Sequence, residues 1–330
     1  MTNEVRESPL VSAVIPSVLR SGLHRVVACA REQQVAGGVE VVVVVDTDVS
    51  DEQRRELDGI ADVVILTGGR RGAGVARNLG VRSATAPYVA FLDDDDEWCA
   101  GHLASAIDAL EDADGRADVV GARVCQTTPD GSTSGPVPRH LLRPDQDVLE
   151  YLFRGRRPDI ARPSIYTSTL VARREVALRS PWREGLPRHQ DWEWLRSVQA
   201  SGHVVRQSAH LGARIQMGSV GSISATSDWR TSLEWGRSWR REASRAVYAD
   251  FVAGQPLRYA MQARSSAGVR ACVRELSSAG AWPSLGTLAL GLGGALPRGV
   301  ALRAVTLAAR VRGPRGRRAG VLATAEGVSP

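Results

Sequence analysis

The stretch YVAFLDDDDEW, residues 88–98, decides the fold, because an apolar strand runs directly into four consecutive aspartates. Carboxylates at the C-terminal end of a buried strand lie where open α/β sheets bind their ligands. Four adjacent like charges repel one another, and a hard divalent cation that prefers oxygen ligands offsets this repulsion. The stretch therefore predicts an Mg²⁺ or Mn²⁺ site at the sheet edge, with an acidic loop that caps the next helix as the alternative.

Strand-like and helix-like segments alternate on both sides of this stretch. The almost continuous valine run VEVVVVVD is typical of a strand covered on both faces. Such alternation predicts an α/β fold with an open, mostly parallel sheet flanked by helices. The predicted strands lie at residues 11–16, 39–46, 62–66, 88–93, 117–124 and 165–173. The predicted helices lie at residues 21–34, 72–83 and 189–199, with a short one after Ser50.

The composition excludes several classes of enzyme. All 42 basic residues are Arg, so the chain has no P-loop lysine, no Schiff-base lysine and no kinase-type strand lysine. The four cysteines show no metal-ligand spacing, and the N-terminal stretch lacks an apolar export signal. We therefore expect a cytoplasmic globular protein.

The charge is unevenly distributed along the chain. Residues 1–229 carry 26 Arg against 31 acidic residues, whereas residues 230–330 carry 16 Arg against 5 acidic residues. Together with the helical periodicity that follows, this contrast predicts an α/β domain at residues 1–225 and a basic, mainly helical region at residues 226–330. An excess of Arg favours an anionic neighbour, unless it is a solvated helical face.

The basic region combines Trp and Arg at helical spacing, and an uncharged segment at residues 276–297 is too broken by Gly and Pro to span a bilayer. Peripheral contact with the anionic inner face of the membrane is one interpretation. Packing against the acidic α/β domain, or a homo-oligomer interface, is the alternative. The residues concerned are Trp235, Arg237, Trp239, Arg240, Arg241, Arg245, Arg303 and Arg310.

Two further motifs are candidates for ligand binding. GAGVARNLG, residues 72–80, leaves helix amides open to an anion and places Arg77 one turn into the helix, where it suits a phosphate or is simply solvated. VVVDTDVSD, residues 43–51, ends a strand in Asp46 and Asp48. These carboxylates suit a nucleobase or a ribose hydroxyl, or equally a turn that caps the next helix.

A fourth motif, LPRHQDWEWLRSV at residues 186–198, places Asp191 at the start of a helix beside Trp192 and Trp194. Desolvation by aromatic rings raises the pKa of a carboxylate toward that of a useful general base. An electrostatic helix cap is the alternative.

The order of these motifs resembles the family 2 inverting glycosyltransferases, which have a GT-A nucleotide-sugar-binding fold. The resemblance covers residues 10–215 and rests on VSAVIP, the valine-rich strand, GVARNLG, YVAFLDDDDEW and HQDWEW. It implies that Pro16 and Asp46 lie beside the nucleobase, with Asp48 in the same nucleotide-sugar site. It also implies that Arg77 lies near the nucleotide.

The resemblance also assigns roles to the aspartate cluster and to the later aspartate. It implies that Asp93 and Asp95 are the D-x-D carboxylates that hold the metal, with Asp95 the direct ligand. Asp93 and Asp94 are expected at the nucleotide sugar, and Asp191 matches the catalytic base.

The chain departs from the family pattern at two places. Thr47 stands where the family has a second aspartate, and Asp48-Val49 replaces Gly-Ser, which bears on nucleobase recognition. Gln190 replaces the usual glutamate before Asp191, which removes a charge but leaves the base itself.

The implied reaction is an inverting displacement that moves a sugar from a nucleoside diphosphate donor to an acceptor hydroxyl. A UDP-sugar is the expected donor, Mg²⁺ or Mn²⁺ the expected cofactor, and a saccharide, lipid-linked or small-molecule acceptor the expected partner. No nucleic acid partner is expected. The synthesis of bacterial surface glycans, glycolipids or natural-product glycosides fits this reaction. A nucleotidyltransferase of related fold and a catalytically silent nucleotide-sugar-binding scaffold are the alternatives.

Overall fold

The computed structural model describes residues 8–112, 116–128, 130–159, 161–218 and 227–296. Within these ranges eight strands form a single sheet in the order β3-β2-β1-β4-β7-β6-β8-β5. The strands are β1 Val11–Ser17, β2 Val39–Val45, β3 Val63–Leu66, β4 Tyr88–Phe91, β5 Glu97–Trp98, β6 Val119–Thr127, β7 Val171–Arg173 and β8 Val205–Gln216.

The first half of the sheet is parallel and the second half is mixed. Strand β1 pairs in parallel with β2 and β4, and β2 pairs in parallel with β3. Strand β7 is antiparallel to both β4 and β6, β6 is parallel to β8, and β5 is antiparallel to β8. The predicted open α/β sheet is confirmed, and its parallel half is the part that carries the valine run.

Twelve α-helices surround this sheet in the described part of the chain, and a π-helical segment at Ala253–Leu257 joins the ninth to the tenth. The helices are α1 Leu23–Arg31, α2 Asp51–Leu57, α3 Ala73–Ser83, α4 His102–Glu111, α5 Val148–Phe153, α6 Arg174–Arg179, α7 Gln190–Ala200, α8 Trp229–Trp239, α9 Arg245–Val252, α10 Arg258–Gln262, α11 Ser266–Ala279 and α12 Leu285–Leu292. Short 3₁₀ turns lie at Thr167–Thr169 and Gly293–Ala295.

Two predicted segments differ from the structure. The strand predicted at residues 165–173 shortens to β7, because Thr167–Thr169 folds into a 3₁₀ turn. Strand β8 is absent from the predicted strands, although its odd-numbered residues are apolar apart from Gln207 and its even-numbered residues are polar or glycine. The turn matters for the site, because it carries Ser168 toward the aspartate loop.

The C-terminal helices pack into the core of the α/β domain. Phe153 of α5 stacks on Trp239 of α8 with ring centroids 5.9 Å apart and lies 4.9 Å from Phe251 of α9. Trp192 of α7 lies 5.2 Å from Phe153 and 6.1 Å from Trp235. Burial of such aromatic side chains is a large favourable contribution to folding. The predicted boundary near residue 225 lies outside the described residues.

This packing corrects the membrane interpretation of the first C-terminal helix. Trp235 and Trp239 are 2% and 0% exposed, so they belong to the core and are not available to a membrane. Arg237 and Arg240 form ion pairs with Glu275 of α11, at 2.7 Å and 3.0 Å. The alternative, packing of these helices against the α/β domain, is therefore correct for α8.

The remaining part of the membrane interpretation concerns residues after α11. Arg303 and Arg310 lie outside the described residues. Trp282 and Leu285 are 92% and 85% exposed. In the described ranges, no helix combines the length and the apolar character that crossing a bilayer requires.

Candidate active site

The loop that follows β4 carries the four aspartates, and each of them has a different environment. Asp94 is buried and accepts hydrogen bonds from the Ser17 hydroxyl at 2.7 Å and from the Val18 amide at 3.1 Å. It also pairs with the Arg20 guanidinium. Asp94 therefore fixes the loop after β1, and we expect it to shape the nucleotide site through that loop rather than to contact the sugar.

Asp93 and Asp95 lie on the same loop with partly buried carboxylates. The Asp93 side chain is 34% exposed and accepts from Arg77 Nη2 at 2.6 Å. The Asp95 side chain is 20% exposed and lies 3.9 Å from Arg20 Nη1. These two members of the D-x-D motif are accessible to a ligand, unlike the aspartate between them.

Asp96, the last of the four aspartates, is buried and connects the loop to two other segments. Its carboxylate accepts from the Ser168 hydroxyl at 2.5 Å and from the Gln216 amide at 3.0 Å. Burial raises the pKa of Asp96 well above its usual range, and the charges of Asp93 and Asp95 add to this rise. No sequence motif marks Ser168, whose hydroxyl connects both Asp96 and the Asp93 amide to the 3₁₀ turn.

Arg77 lies on α3 and points into the same site. Its guanidinium contacts Asp93 and donates from Nη1 to Gln190 Oε1 at 2.8 Å. The flat face of the guanidinium lies 4.6 Å from the centre of the Trp182 ring, a cation–π contact. A methyl group at Gly80 would lie 2.3 Å from Val14 Cγ1, so the glycine lets α3 pack closely on β1. Arg77 is thus a buried, oriented cation and not a solvated surface residue.

Asp191 lies in the first turn of α7. Its Oδ1 accepts from the Trp192 amide at 2.9 Å. Burial raises the pKa of Asp191 to about 6, with the negative charge of Asp93 raising it further and the positive charge of Arg77 lowering it. Asp191 is therefore within electrostatic range of the aspartate loop, and its pKa suits a general base near neutral pH.

The residue before α7 makes an unusual turn that brings the helix to the site. His189 has a left-handed backbone with φ of 61°, and its imidazole lies 2.8 Å from the Ser232 hydroxyl of α8. The imidazole also stacks on Trp192 at 4.5 Å. The position of Asp191 is therefore fixed by contacts with the C-terminal helices.

Asp46 ends β2 and holds the loop that leads into α3. Its carboxylate accepts from the Thr67 hydroxyl at 2.6 Å and from the amides of Arg71 and Gly72 at 2.8 Å and 2.7 Å. Asp46 therefore shapes the loop directly, which is the turn chemistry that the sequence left open. Its predicted contact with the nucleobase stays a prediction.

The remaining predicted nucleotide residues lie at the same end of the sheet. Pro16 is buried near the end of β1, in register with Val44. Asp48 is exposed, and its Oδ1 lies 3.2 Å from the point where Gly69 would carry a methyl group. The carboxyl ends of β1, β2 and β4 thus bring Pro16, Asp48 and Asp93 to one sheet edge.

The donor set of the aspartate loop fits a hard divalent cation. Mg²⁺ is commonly held by one or two carboxylates and completed by substrate phosphates. Asp93 and Asp95 are two such carboxylates. No three His, Cys, Asp or Glu side chains within the described ranges are arranged as a complete metal cage. A cation at this loop would therefore take its remaining ligands from a bound diphosphate and from water.

Comparison with known proteins identifies the class. The family model of glycosyl transferase family 2 matches residues 12–174, which include β1, β2, β4 and the aspartate loop. Residues 12–174 therefore form a glycosyl transferase family 2 region.

One relative is the amylovoran biosynthesis glycosyltransferase AmsB of Erwinia amylovora, which is 27% identical over 266 residues, covering 77% of this chain and 86% of AmsB. The crystal structure of S. aureus TarS 1-349 in complex with UDP-GlcNAc is similar with a TM-score of 0.59 and 12% identity, over 82% of this chain and 81% of that one. A second crystal structure of S. aureus TarS 1-349 is similar with a TM-score of 0.55 and 14% identity, over 82% of this chain and 79% of that one. The fold is accordingly the GT-A type.

Proposed function

We propose that this protein is an inverting glycosyltransferase that moves a sugar from a UDP-sugar to an acceptor hydroxyl with the help of Mg²⁺ or Mn²⁺. The observation that carries the proposal is the convergence of Asp93, Arg77 and Asp191 from three separate elements, with the pKa of Asp191 raised to about 6. A carboxylate with this pKa is mostly ionised at neutral pH and is still basic enough to accept a proton.

Each residue has a distinct part in the proposed reaction. Asp93 and Asp95 would hold the cation, which when bound offsets the charge that develops on the departing diphosphate. Asp191 accepts the proton of the acceptor hydroxyl as its oxygen attacks the anomeric carbon. Because attack and departure occur on opposite faces of the sugar, one displacement inverts the anomeric configuration. A single base suffices, since the diphosphate leaves without a proton.

Arg77 positions the two acidic groups relative to each other. Its guanidinium contacts Asp93 and the amide side chain of Gln190, the residue before Asp191. A glutamate at position 190 would give Arg77 a second anionic partner, whereas Gln190 leaves Asp93 as its ion-pair partner in this set. Gln190 therefore still accepts a hydrogen bond from Arg77 but carries no negative charge.

The relatives support the choice of donor and the wider setting. The TarS structure contains UDP-GlcNAc, and AmsB is a glycosyltransferase of amylovoran biosynthesis. We extend these facts to a cytoplasmic enzyme that uses a UDP-sugar in the synthesis of a bacterial surface glycan. The family 2 match over residues 12–174 disfavours the nucleotidyltransferase alternative.

A donor screen tests the proposal. UDP-sugars and other nucleotide sugars are added with Mn²⁺, and thermal stabilisation is scored, because a ligand that binds the folded state raises its melting temperature. We expect stabilisation by a UDP-sugar and release of UDP when an acceptor is supplied. NMR of the product should show the opposite anomeric configuration to the donor. A product with retained configuration, or a donor set without UDP-sugars, contradicts the respective part of the proposal.

A further inference from the structure

Four arginines from separate segments converge beside the N-terminus of α7, and we call them the arginine cluster: Arg156, Arg162, Arg188 and Arg258. The ring of Tyr259 lies between two of them, with Arg188 Cζ 4.4 Å and Arg258 Cζ 5.0 Å from its centre. The guanidinium of Arg156 lies 5.9 Å from the Trp192 ring. The cluster is therefore built on aromatic faces that orient the guanidinium groups without neutralising them.

Arg156 is the most buried member with an incomplete set of hydrogen bonds. It is 4% exposed, and its Nη2 donates to the Pro163 carbonyl at 3.2 Å. Its buried Nε and Nη1 find no hydrogen-bond partner among the described residues, and the same holds for Nε of Arg258. A buried charged donor without an acceptor is costly, so these atoms point to an acceptor that the protein itself does not supply.

The backbone around Arg156 is fixed from outside the cluster. Asp250 of α9 is 1% exposed and accepts from Arg154 Nη1 at 2.7 Å and from the Gly155 amide at 2.8 Å. The Thr287 hydroxyl donates to the Arg156 carbonyl at 3.2 Å. These contacts hold the backbone at Arg156 in place, so its side chain is kept in its buried position.

The nearby carboxylates do not balance the cluster. Asp159 lies near Arg162, but it accepts from the Ala161 amide and lies 3.6 Å from Arg139 Nη1. Asp228 lies near Arg188, but its carboxylate caps α8. Among the described residues, the two carboxylates near the cluster thus also accept hydrogen bonds or lie near cations outside it.

The titration of the surrounding groups agrees with this excess of positive charge. Burial lowers the pKa of Arg156, and the charges of Arg162 and Arg258 lower it further. Burial also lowers the pKa of His189 well below its usual value, and the nearby arginines add to the shift. A neutral His189 adds no charge, so the positive charge of this region is carried by the arginines.

We propose that the arginine cluster binds a phosphoryl group carried by the acceptor substrate. Guanidinium groups match the oxygens of a phosphoryl group in pairs, and several of them suit its multiple negative charge. The cluster flanks Asp191 through Arg188 and Trp192, whereas the donor diphosphate is assigned to Asp93 and Asp95 at the sheet edge. Asp191 interacts electrostatically with Asp93, and the neighbouring His189 and Trp192 lie against the cluster, so an acceptor held by the cluster would present its hydroxyl near the base. This inference rests on the proposed function, because it takes Asp191 as the base.

Phosphate binding to the protein tests the proposal directly. Inorganic phosphate is titrated at constant ionic strength against the whole chain, and the melting temperature is followed. We expect stabilisation in the parent, and an affinity for phosphate about tenfold or more weaker in Arg156→Gln, since one charge-assisted contact is worth about that factor. Arg162→Gln and Arg258→Gln change half-buried members and serve as variants that keep the core intact. Arg179→Gln, at a surface ion pair with Glu175, is the matched control and should bind phosphate as the parent does.

A second titration distinguishes the source of the phosphoryl group. UDP with Mg²⁺ and inorganic phosphate should stabilise the parent independently, and the cluster variants should keep the UDP effect. If saturating UDP abolishes the phosphate effect, the cluster binds the donor diphosphate and the acceptor assignment is wrong. If the parent shows no phosphate effect, or if the three cluster variants keep it, the proposal is overturned.

The test also separates this inference from the proposed function. Asp95→Ala should lose the UDP effect and keep the phosphate effect, since it lies at the other anion site. Absence of UDP binding in the parent would refute the donor assignment while the phosphate titration still reports on the cluster.

Discussion

Arg77 and Asp93 form an ion pair across the candidate site, with Arg77 Nη2 2.6 Å from Asp93 Oδ1. The other terminal nitrogen of Arg77 reaches Gln190 at 2.8 Å. A single guanidinium therefore connects the loop after β4, which would hold the cation, with the helix that carries Asp191. This connection makes the charge of Arg77 a determinant of how Asp191 titrates.

Arg77→Gln should raise the pKa of Asp191. In the parent, Arg77 lowers that pKa and Asp93 raises it, so removing the cation leaves only the carboxylate. The low-pH limb of kcat/KM, which reports groups of the free enzyme, should move upward from about 6. Arg82→Gln, on the exposed face of the same helix, is the control. An unchanged limb in Arg77→Gln would show that another group controls it.

Asp191→Asn should lower turnover by roughly 10²–10⁴, which is the usual contribution of a positioned base. UDP affinity should persist, because the proposed diphosphate contacts lie on the aspartate loop and not on Asp191. The low-pH limb near 6 should also disappear. Steady-state kinetics combined with UDP titration measures both effects. Near-normal turnover, or loss of UDP affinity with an intact rate, would make Asp191 a helix cap.

The same variant should be more stable than the parent at pH 8. The folded-state pKa of Asp191 is raised to about 6, so the folded state binds a proton more tightly than the unfolded chain does. The ionised carboxylate therefore destabilises the fold above pH 6, and this penalty disappears as the pH falls toward 4. Denaturant titrations at pH 8 and pH 4.5 should show a gain for Asp191→Asn that is larger at pH 8. Equal gains would contradict the raised pKa.

Asp95→Ala and Asp94→Ala should fail in different ways. Asp95→Ala should leave the fold intact and weaken UDP binding in the presence of Mn²⁺, because it removes a partly buried ligand of the cation. Asp94→Ala should lower the free energy of unfolding by about 2–3 kcal/mol, since the Ser17 hydroxyl, the Val18 amide and Arg20 lose their buried acceptor. Denaturant unfolding and UDP calorimetry on both variants provide the comparison. Full turnover of the parent in excess chelator would refute the metal.

Gly236→Ala should destabilise the whole chain by about 1–3 kcal/mol, the usual cost of overpacking a core. A methyl group there would lie 2.3 Å from Phe251 Cε1, between α8 and α9. Because these helices share the core with Phe153, unfolding should remain a single transition. Glu234→Ala, on the exposed side of α8, is the control. Separate melting of the C-terminal helices would instead support an independent domain.

Membrane contact by the segment that leads into α12 should depend on Trp282 and Leu285. Both side chains are largely exposed, and the exposed Arg157 lies beside Gly286 at the start of this helix. Flotation should show salt-sensitive binding to anionic vesicles and none to neutral ones, and Trp282→Ser with Leu285→Ser should weaken it. Val273→Ser is the control for an exposed apolar residue on another helix. Equal indifference to both vesicle types would refute the membrane contact.

The parallel half of the sheet was predictable because its strands are buried on both faces. The run around Val43 has no alternation to misread, and the aspartates that follow Phe91 mark the ligand edge. Strand β8 was not predictable in the same way. Its sequence alternates apolar and polar residues except at the buried Gln207, but its register with β6 is interrupted by bulges, which no sequence period reveals.

The site was predictable where function depends on a local motif and not where it depends on distant partners. Asp93 and Asp191 each stand in a recognisable stretch, so their convergence could be expected. The arginine cluster joins positions as distant as Arg156 and Arg258, and no spacing links them. For Trp239 the sequence left membrane contact and packing both open, because helical spacing beside arginines does not reveal which face another helix covers.

The Trp182 ring lies at the candidate site, where its fluorescence is sensitive to the position of Arg77. It lies 4.6 Å from the Arg77 guanidinium and stacks on Trp194 at 4.8 Å, whereas Trp282 is almost fully exposed to solvent. Indole emission responds to nearby charge, so a nucleotide that displaced Arg77 would change the signal from the buried pair against the background of the other six tryptophans. Donor binding to the unlabelled protein should therefore be measurable as a change in intrinsic tryptophan fluorescence, without an added dye.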